Sequence, residues 1–468
     1  MRLIPTYKVA KGVRFSHNSW KNFTEQPWAA GGILLVCVVI AMLLANLPAT
    51  KDLYHSFLNT NLTATIQSPL NGDGTRVIDW TFPKEMNVEK FINDFLMVIF
   101  FFTVGLEIKR EIVCGELSSP KKAMLPVIAA LGGMAVPALI FTLFNHGTAA
   151  SSGWGIPTAT DIAFAVGIMS ILGNKVPVSL KIFLTALAIA DDLGAILVVA
   201  LFYGGTINIF LLCIALLILA GIYVMNLLGE RRMMFYLIPA IAVWYLFYYS
   251  GIHSTMSGVV MAFLIPMSPR FAPSYLSRRS KEYHERLMMY QTDEPFPNEN
   301  QRHCLRRMAF INQNSMGMSY RLEHTLNPYV NFLIMPIFAL TNAGVEIPDI
   351  SYFNIFQYSP EIGSVGMGVF FGLLLGKPIG ISLASFIAIK CKMGAMPSNA
   401  SWKMLFAVAC LGCIGFTMSI FVDTLSFSDF PQYTEHLRSC GKIAVLMGSL
   451  SAGILGSILI SICAKKKQ

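Results

Sequence analysis

This sequence predicts an all-α, polytopic membrane fold of about 12 transmembrane helices, and three observations carry that prediction. Of its 468 residues, 54% are hydrophobic and only 13% are charged, about half the charged share of an ordinary soluble domain. Apolar runs of roughly 20 residues, the length a helix needs to cross a bilayer, recur along the whole chain. The connections between them alternate between basic and non-basic. Such a chain is neither a soluble enzyme nor a single-pass receptor. Its formal charge of +9 does not point to nucleic acid, because the basic residues lie between apolar segments rather than on a folded polar domain.

The predicted spans are 29–47, 95–113, 122–144, 155–173, 180–203, 207–228, 234–250, 254–266, 328–344, 363–389, 403–426 and 440–463. Residues 1–28 hold Arg2, Lys8, Lys11, Arg14 and Lys21, a stretch long for the basic part of a cleaved signal peptide, so the first span reads as a retained helix. The loop from 48 to 90 carries more acids than bases, and Lys121 and Lys122 follow the second span. Lys175 lies after the fourth, Arg231 and Arg232 after the sixth, and nine Lys or Arg lie within 267–326. Residues 345–361 hold only acids, 390–403 three lysines, and the tail 464–468 three more. By the positive-inside rule both termini are expected in the cytoplasm. The domain plan is therefore a segment 1–28, spans one to eight within 29–266, a cytoplasmic insertion 267–326, spans nine to twelve within 327–463, and the tail.

Two connections are long. Residues 54–85 place Asn71-Gly72-Asp73-Gly74 between β-favouring stretches, which reads as an outside β-hairpin or as a loop without order. A homodimer joined through this hairpin is an open expectation. Residues 271–320, with Arg278, Arg279, Lys281, Arg306 and Arg307 among prolines and amides, read as a solvated insertion, either a plain surface loop or one touching anionic headgroups. The nine cysteines follow no disulfide spacing, and Cys410 and Cys413 read as packing thiols.

Chemistry is expected where charge meets lipid. Asp94 in span two, Asp161 in span four, Asp191 and Asp192 in span five and Lys377 in span ten are ionisable groups inside apolar runs. Each costs about 2.5–3.5 kcal/mol at a helix centre on insertion scales. Packing does not repay that, whereas a pathway for ions or protons does. Internal salt bridging that only holds helices together is the bland alternative. Spans four and eleven are also interrupted: Gly155-Ile156-Pro157-Thr158-Ala159-Thr160-Asp161 breaks one and Gly412-Cys413-Ile414-Gly415 the other. Unwound backbone at membrane depth survives only where it lines a cavity or is covered by protein. Paired interruptions point to inverted repeats, spans 3–5 and 10–12, with helices 4 and 11 crossing at a transport site.

The runs GWGIPTATDIAFAVGIMSILG (153–173), VPVSLKIFLTALAIADDLGAILVVALFY (176–203), FFTVGLEIKRE (101–111), SGIHSTMSGVV (250–260), LLLGKPIGIS (373–382) and IGFTMSIF (414–421) resemble the NhaA-type sodium/proton antiporters of bacterial inner membranes. The likeness runs in order from about residue 29 to 463; the N-terminus, the 54–85 region and the 271–320 insertion depart from it. Inverted repeats are a known property of that family, so the repeat assignment is not independent of the resemblance.

The resemblance implies exchange of sodium, and lithium, against more than one proton by alternating access. It implies that Asp192 is the more direct cation ligand, that Asp191 is its partner and pairs with Lys377 when sodium is absent, and that Thr160 and Asp161 form the broken-helix pair. Sodium wants oxygen ligands, which carboxylates and hydroxyls supply. Asp94 is either a pathway residue or a hydrated acid at the membrane edge. Glu107, Lys109, Arg110 and Glu111 on span two are either a surface charge cluster or, as the resemblance implies, a cation-attracting, pH-sensitive funnel, whose sensor region takes in Glu323 and His324 before span nine; Tyr320 and Asn327 depart from the family there. No nucleotide motif or covalent cofactor is apparent. A sodium-coupled symporter of organic solutes shares the architecture in principle. An intramembrane aspartyl protease needs a motif such as Gly-x-Gly-Asp, where Asp191 follows Ala188-Ile189-Ala190.

Overall fold

A computed structural model describes residues 26, 28–62, 64–67, 79–82, 86–290, 296–347, 350–360, 362–398, 400–427 and 433–465. Most of segment 1–28, the Asn71-Gly72-Asp73-Gly74 turn and most of the tail 464–468 lie outside the described residues. Each predicted span has its helix. Those of full length are α1 (Ala29–Asn46), α3 (Val88–Val113), α4 (Pro120–Asn145), α6 (Val178–Phe202), α7 (Ile209–Leu227), α13 (Val365–Lys390) and α16 (Thr434–Lys465). Shorter apolar helices are α8 (Met234–Ser250) and α9 (Thr255–Leu264), and 318–342 form α12. Spans four and eleven are each two pieces. A 3₁₀ segment, Ala149–Thr158, meets α5 (Ile162–Ile171) at 41°, and α14 (Trp402–Leu411) meets α15 (Phe416–Ser426) at 53°.

Burial orders these helices. In its most apolar window α6 is 67% buried inside the protein and α7 only 17%, although both are strongly apolar. Helix α6 is therefore a central element and α7 faces lipid. The repeats pack at their first members, α4 and α13, where Gly132 and Gly380 meet backbone to backbone: a side chain on either would run into the other's carbonyl oxygen. Two core clusters result. The larger joins α1, both broken spans, α6, α13 and α16; a smaller one gathers Leu106, Leu219, Tyr236, Phe247 and Met261 from α3 and α7–α9.

Among the described residues three helices contain a π-type turn, at Ile92–Leu96, Val330–Ile334 and Gly372–Gly376. Such a turn rephases the helix beyond it and is common at functional sites. Asp94 and Asn331 sit within two of these turns, and Lys377 immediately follows the third.

The long connections hold more helix than their sequence reading, and the strands expected within 54–85 pair antiparallel. Residues Lys51–Leu58 form a helix, α2, anchored by Tyr54 Oη donating to the carbonyl of Leu340 at 2.7 Å. Among the described residues Ala64–Gln67 (β1) and Asp79–Phe82 (β2) pair antiparallel, with Ala64 opposite Phe82. The 271–320 insertion is an α-hairpin rather than a loop, built of α10 (Pro273–Met289) and α11 (Glu299–Asn314). Its local determinants are a capping box, in which Asn298 and Gln301 serve each other's backbone N–H, and Arg279 and Arg286 paired to Glu282 at 2.6 and 2.8 Å.

Candidate functional site

The two helix breaks satisfy each other. At the first, the chain runs extended through Ala159–Asp161 because Pro157 lacks an N–H and Asp161 caps the next helix. Asp161 N donates to the Ile414 carbonyl at 2.6 Å, closing one break on the other. The Asp161 carboxylate accepts from Phe164 N at 3.2 Å, the first turn of α5, and from Thr417 N at 3.2 Å, the first turn of α15. Thr417 Oγ1 adds a third bond at 2.5 Å. One carboxylate thus faces two positive helix ends at membrane depth.

Lys377 answers the opposite end. Its Nζ donates to the Thr158 carbonyl, the last of the 3₁₀ segment, at 2.6 Å, and to Asp191 Oδ2 at 2.6 Å. Both side chains of this pair are almost wholly buried, at 1% and 2% exposure. Removing a pair of charges from water is compensated only when hydrogen bonds accompany the ionic contact, and they do. Thr160 Oγ1 is hydrogen-bonded to Asp191 and lies 2.9 Å from the Gly412 carbonyl.

Asp192 is one residue and about 100° further around α6. Its side chain lines a cavity of about 260 Å³ together with Thr160, Asp161, Thr417, Glu107 and two amides, Asn327 and Asn331. Asp192 Oδ1 is buried and has no hydrogen-bond partner among the described residues, as is true of Asp191 Oδ1. Asp192 thus brings a carboxylate with unused acceptor capacity to the cavity wall, and Asp191 lies outside that lining. Among the described residues no three His, Cys, Asp or Glu converge as they would around a tightly held metal. Two carboxylates with hydroxyls make a loose, hard-oxygen site suited to a small cation that must leave again.

The other singled-out residues divide. Glu107 lines the cavity, and Arg110 one turn on gathers three carboxylates: Glu107 at 3.8 Å, Glu111 at 3.1 Å, and Glu323 of α12 in close contact. Glu111 also accepts from Glu116 N at 3.0 Å. Glu323 is buried, with one oxygen lacking a partner. His324 is exposed, its ring parallel to that of Tyr320 with centroids 6.1 Å apart, so it borders the cluster without bonding into it. Asp94 is not part of the site. It sits half-buried near the far end of α3, accepting from Ser254 Oγ at 3.1 Å.

Asp423 on α15 is the residue sequence reasoning passes over, whereas Arg110, expected only as one member of the charge cluster on span two, is its hub. Asp423 lies inside the predicted span 403–426, so the criterion that selects Asp161 would select it too.

A chain of crossed, interrupted helices around an intramembrane carboxylate site is a multi-pass membrane transporter in its architecture. The profile of the family described as Na+/H+ antiporter 1 matches residues 21–460, and this chain belongs to that family. It is 40% identical over 453 residues to the "Na(+)/H(+) antiporter NhaA" of Oleidesulfovibrio alaskensis, covering 96% of this chain and 95% of that one. The protein of the same description from Pelagibacter ubique is 39% identical over 448 residues, covering 96% and 98%. That from Acidithiobacillus ferrooxidans is 40% identical over 442 residues, covering 94% and 96%.

Proposed function

We propose that this chain exchanges sodium, and lithium, for protons across a bacterial inner membrane by alternating access, with both termini in the cytoplasm. The observation that supports this most is the Asp192 carboxylate on the wall of a cavity, its Oδ1 without a partner among the described residues, on the same helix as Asp191 of the Asp191–Lys377 pair. In this reading Asp192 and Asp191 bind the cation, with Thr160 and Asp161 as further oxygen donors. Cation and protons compete for the same oxygens, so each can be released only as the other arrives. Asp191 changes partner between Lys377 and the ion, and more than one proton per sodium makes the exchange electrogenic. Lys377 and Asp161 also neutralise the half-helix ends in the vacant site.

Glu107, Glu111, Glu323 and His324 set the pH dependence at the cytoplasmic mouth, and Asp94 is an accessory residue toward the outside. In this orientation the 54–85 region lies outside and is the surface through which two copies pair, while 267–326 lies in the cytoplasm. Proteoliposomes holding no organic solute test the reading: sodium-dependent proton flux is expected, and its absence, with flux restored by an added solute, would favour a symporter.

A further inference from the structure

A second buried carboxylate lies on the half-helix beyond the break of span eleven. Asp423 on α15 is 0% exposed, and neither of its oxygens has a hydrogen-bond donor among the described residues. It follows Thr417 by six residues, about 9 Å along the helix axis. Two helices place it on the opposite side of the Asp161 site from the Asp192 cavity. Asn327 and Asn331 of α12 line that cavity, whereas Phe338, further along the same helix, packs on Phe421 beside Asp423. Glu107 of α3 lines the cavity too, whereas Glu89, some five turns away on α3, acts electrostatically on Lys442, the neighbour of Asp423.

Helix α16 is shaped for this carboxyl. Gly441 lies against Asp423 Oδ1 so closely that any side chain there would displace it. Arg438 and Lys442, three residues before Gly441 and one after, lie one turn apart on this helix, and the charge of each is felt at Asp423. Neither donates a hydrogen bond to it. Among the described residues, Cys440 on α16 and Tyr203 at the end of α6 also sense this charge, and His253 packs edge-on against Phe421 of α15, ring centroids 5.7 Å apart. The 3₁₀ segment Ala149–Thr158 and the Met335–Asn342 part of α12, which also pack on α15, contribute no titratable group. A carboxylate that served only to tie helices together would be held by donors. This one is enclosed, and among the described residues neither oxygen has a donor.

We propose that Asp423 is a way station for protons in the exchange, loading or unloading on the side of the membrane opposite the Asp192 cavity, with Arg438 and Lys442 as its positioning charges. This role rests on the antiport reading above, and two measurements separate them. The first is infrared difference spectroscopy of the purified full chain between acid and alkaline pH. Asp423→Asn is expected to remove one titrating carboxylic-acid band, and Lys442→Met to move the midpoint of that band. The second is flux in oriented vesicles with the pH of each side varied separately. Asp423→Asn is expected to shift the half-maximal proton concentration at least threefold on the side opposite the cavity only, and Asp423→Glu to restore it. An infrared spectrum unchanged by Asp423→Asn overturns the proposal, and so does exchange whose pH dependence stays fixed on that side. Should Asp423→Asn fail to fold, the Lys442→Met midpoint decides, an unmoved band counting against. Absence of exchange in the unaltered protein overturns the antiport reading and this role together, whereas a fixed profile overturns the role alone.

Discussion

Asp161 and Thr417 are 256 residues apart in sequence and bonded twice in space, through the Thr417 hydroxyl at 2.5 Å and its backbone N–H at 3.2 Å. The two broken spans are therefore joined at their breaks by one carboxylate. Thr417→Val removes a hydrogen bond to a charged, buried group and is expected to cost about 1.5–3 kcal/mol. Thr417→Ser keeps the hydroxyl and is expected to stay near the parent. Thermal unfolding in detergent compares the two; equal loss in both would mean that methyl packing, not the hydroxyl, matters there.

Lys377→Ala leaves Asp191 as a buried charge without its ionic partner, an expected loss of about 3–5 kcal/mol. Asp191→Asn leaves the lysine in the same position. The double variant is expected to lose distinctly less than the two singles combined, because the second change relieves what the first exposed. Simple additivity in this cycle would mean that the 2.6 Å contact carries no coupling energy.

Asp192→Asn is expected to abolish sodium-dependent proton flux while leaving unfolding in sodium-free buffer close to that of the parent, since among the described residues Asp192 Oδ1 has no partner to lose. Added sodium stabilises any protein that binds it only when folded. The parent is therefore expected to melt higher in sodium and Asp192→Asn to be indifferent. A sodium-dependent shift retained by the variant would place the cation elsewhere.

Glu323→Gln takes one of three carboxylates from around Arg110. The cluster then carries one negative charge fewer around the same cation, so it attracts protons less. The pH profile of exchange is expected to move toward acid with maximal flux largely kept. Profiles unchanged in both Glu323→Gln and His324→Ala would remove these residues from gating.

The sequence is most legible where it violates the membrane's demands. Asp191, Asp192 and Lys377 stand out because an apolar span tolerates a charge only for a reason, and Pro157 and Gly412–Gly415 because they break helices. Contacts between distant segments are not written in any local pattern, so the capping of α15 by Asp161 is visible only in the fold. Arg110 reads as one more basic residue at a span end until Glu323 arrives from α12. The α-hairpin of α10 and α11 was legible in principle through Asn298 and Gln301, but prolines and charge obscured it.

The crossed breaks also set a timetable for synthesis. When residues 149–171 enter the bilayer, Asp161 N and its carboxylate lack the Ile414 and Thr417 groups that satisfy them, because those lie some 250 residues downstream. At elongation rates of about 5–20 residues per second the interval is on the order of tens of seconds. For that time the first break must be sheltered by something other than its native partner, such as the insertion machinery or trapped water. Truncations that end before residue 412 are thus expected to leave a half-assembled bundle with polar backbone at membrane depth, the kind of intermediate that membrane quality control destroys.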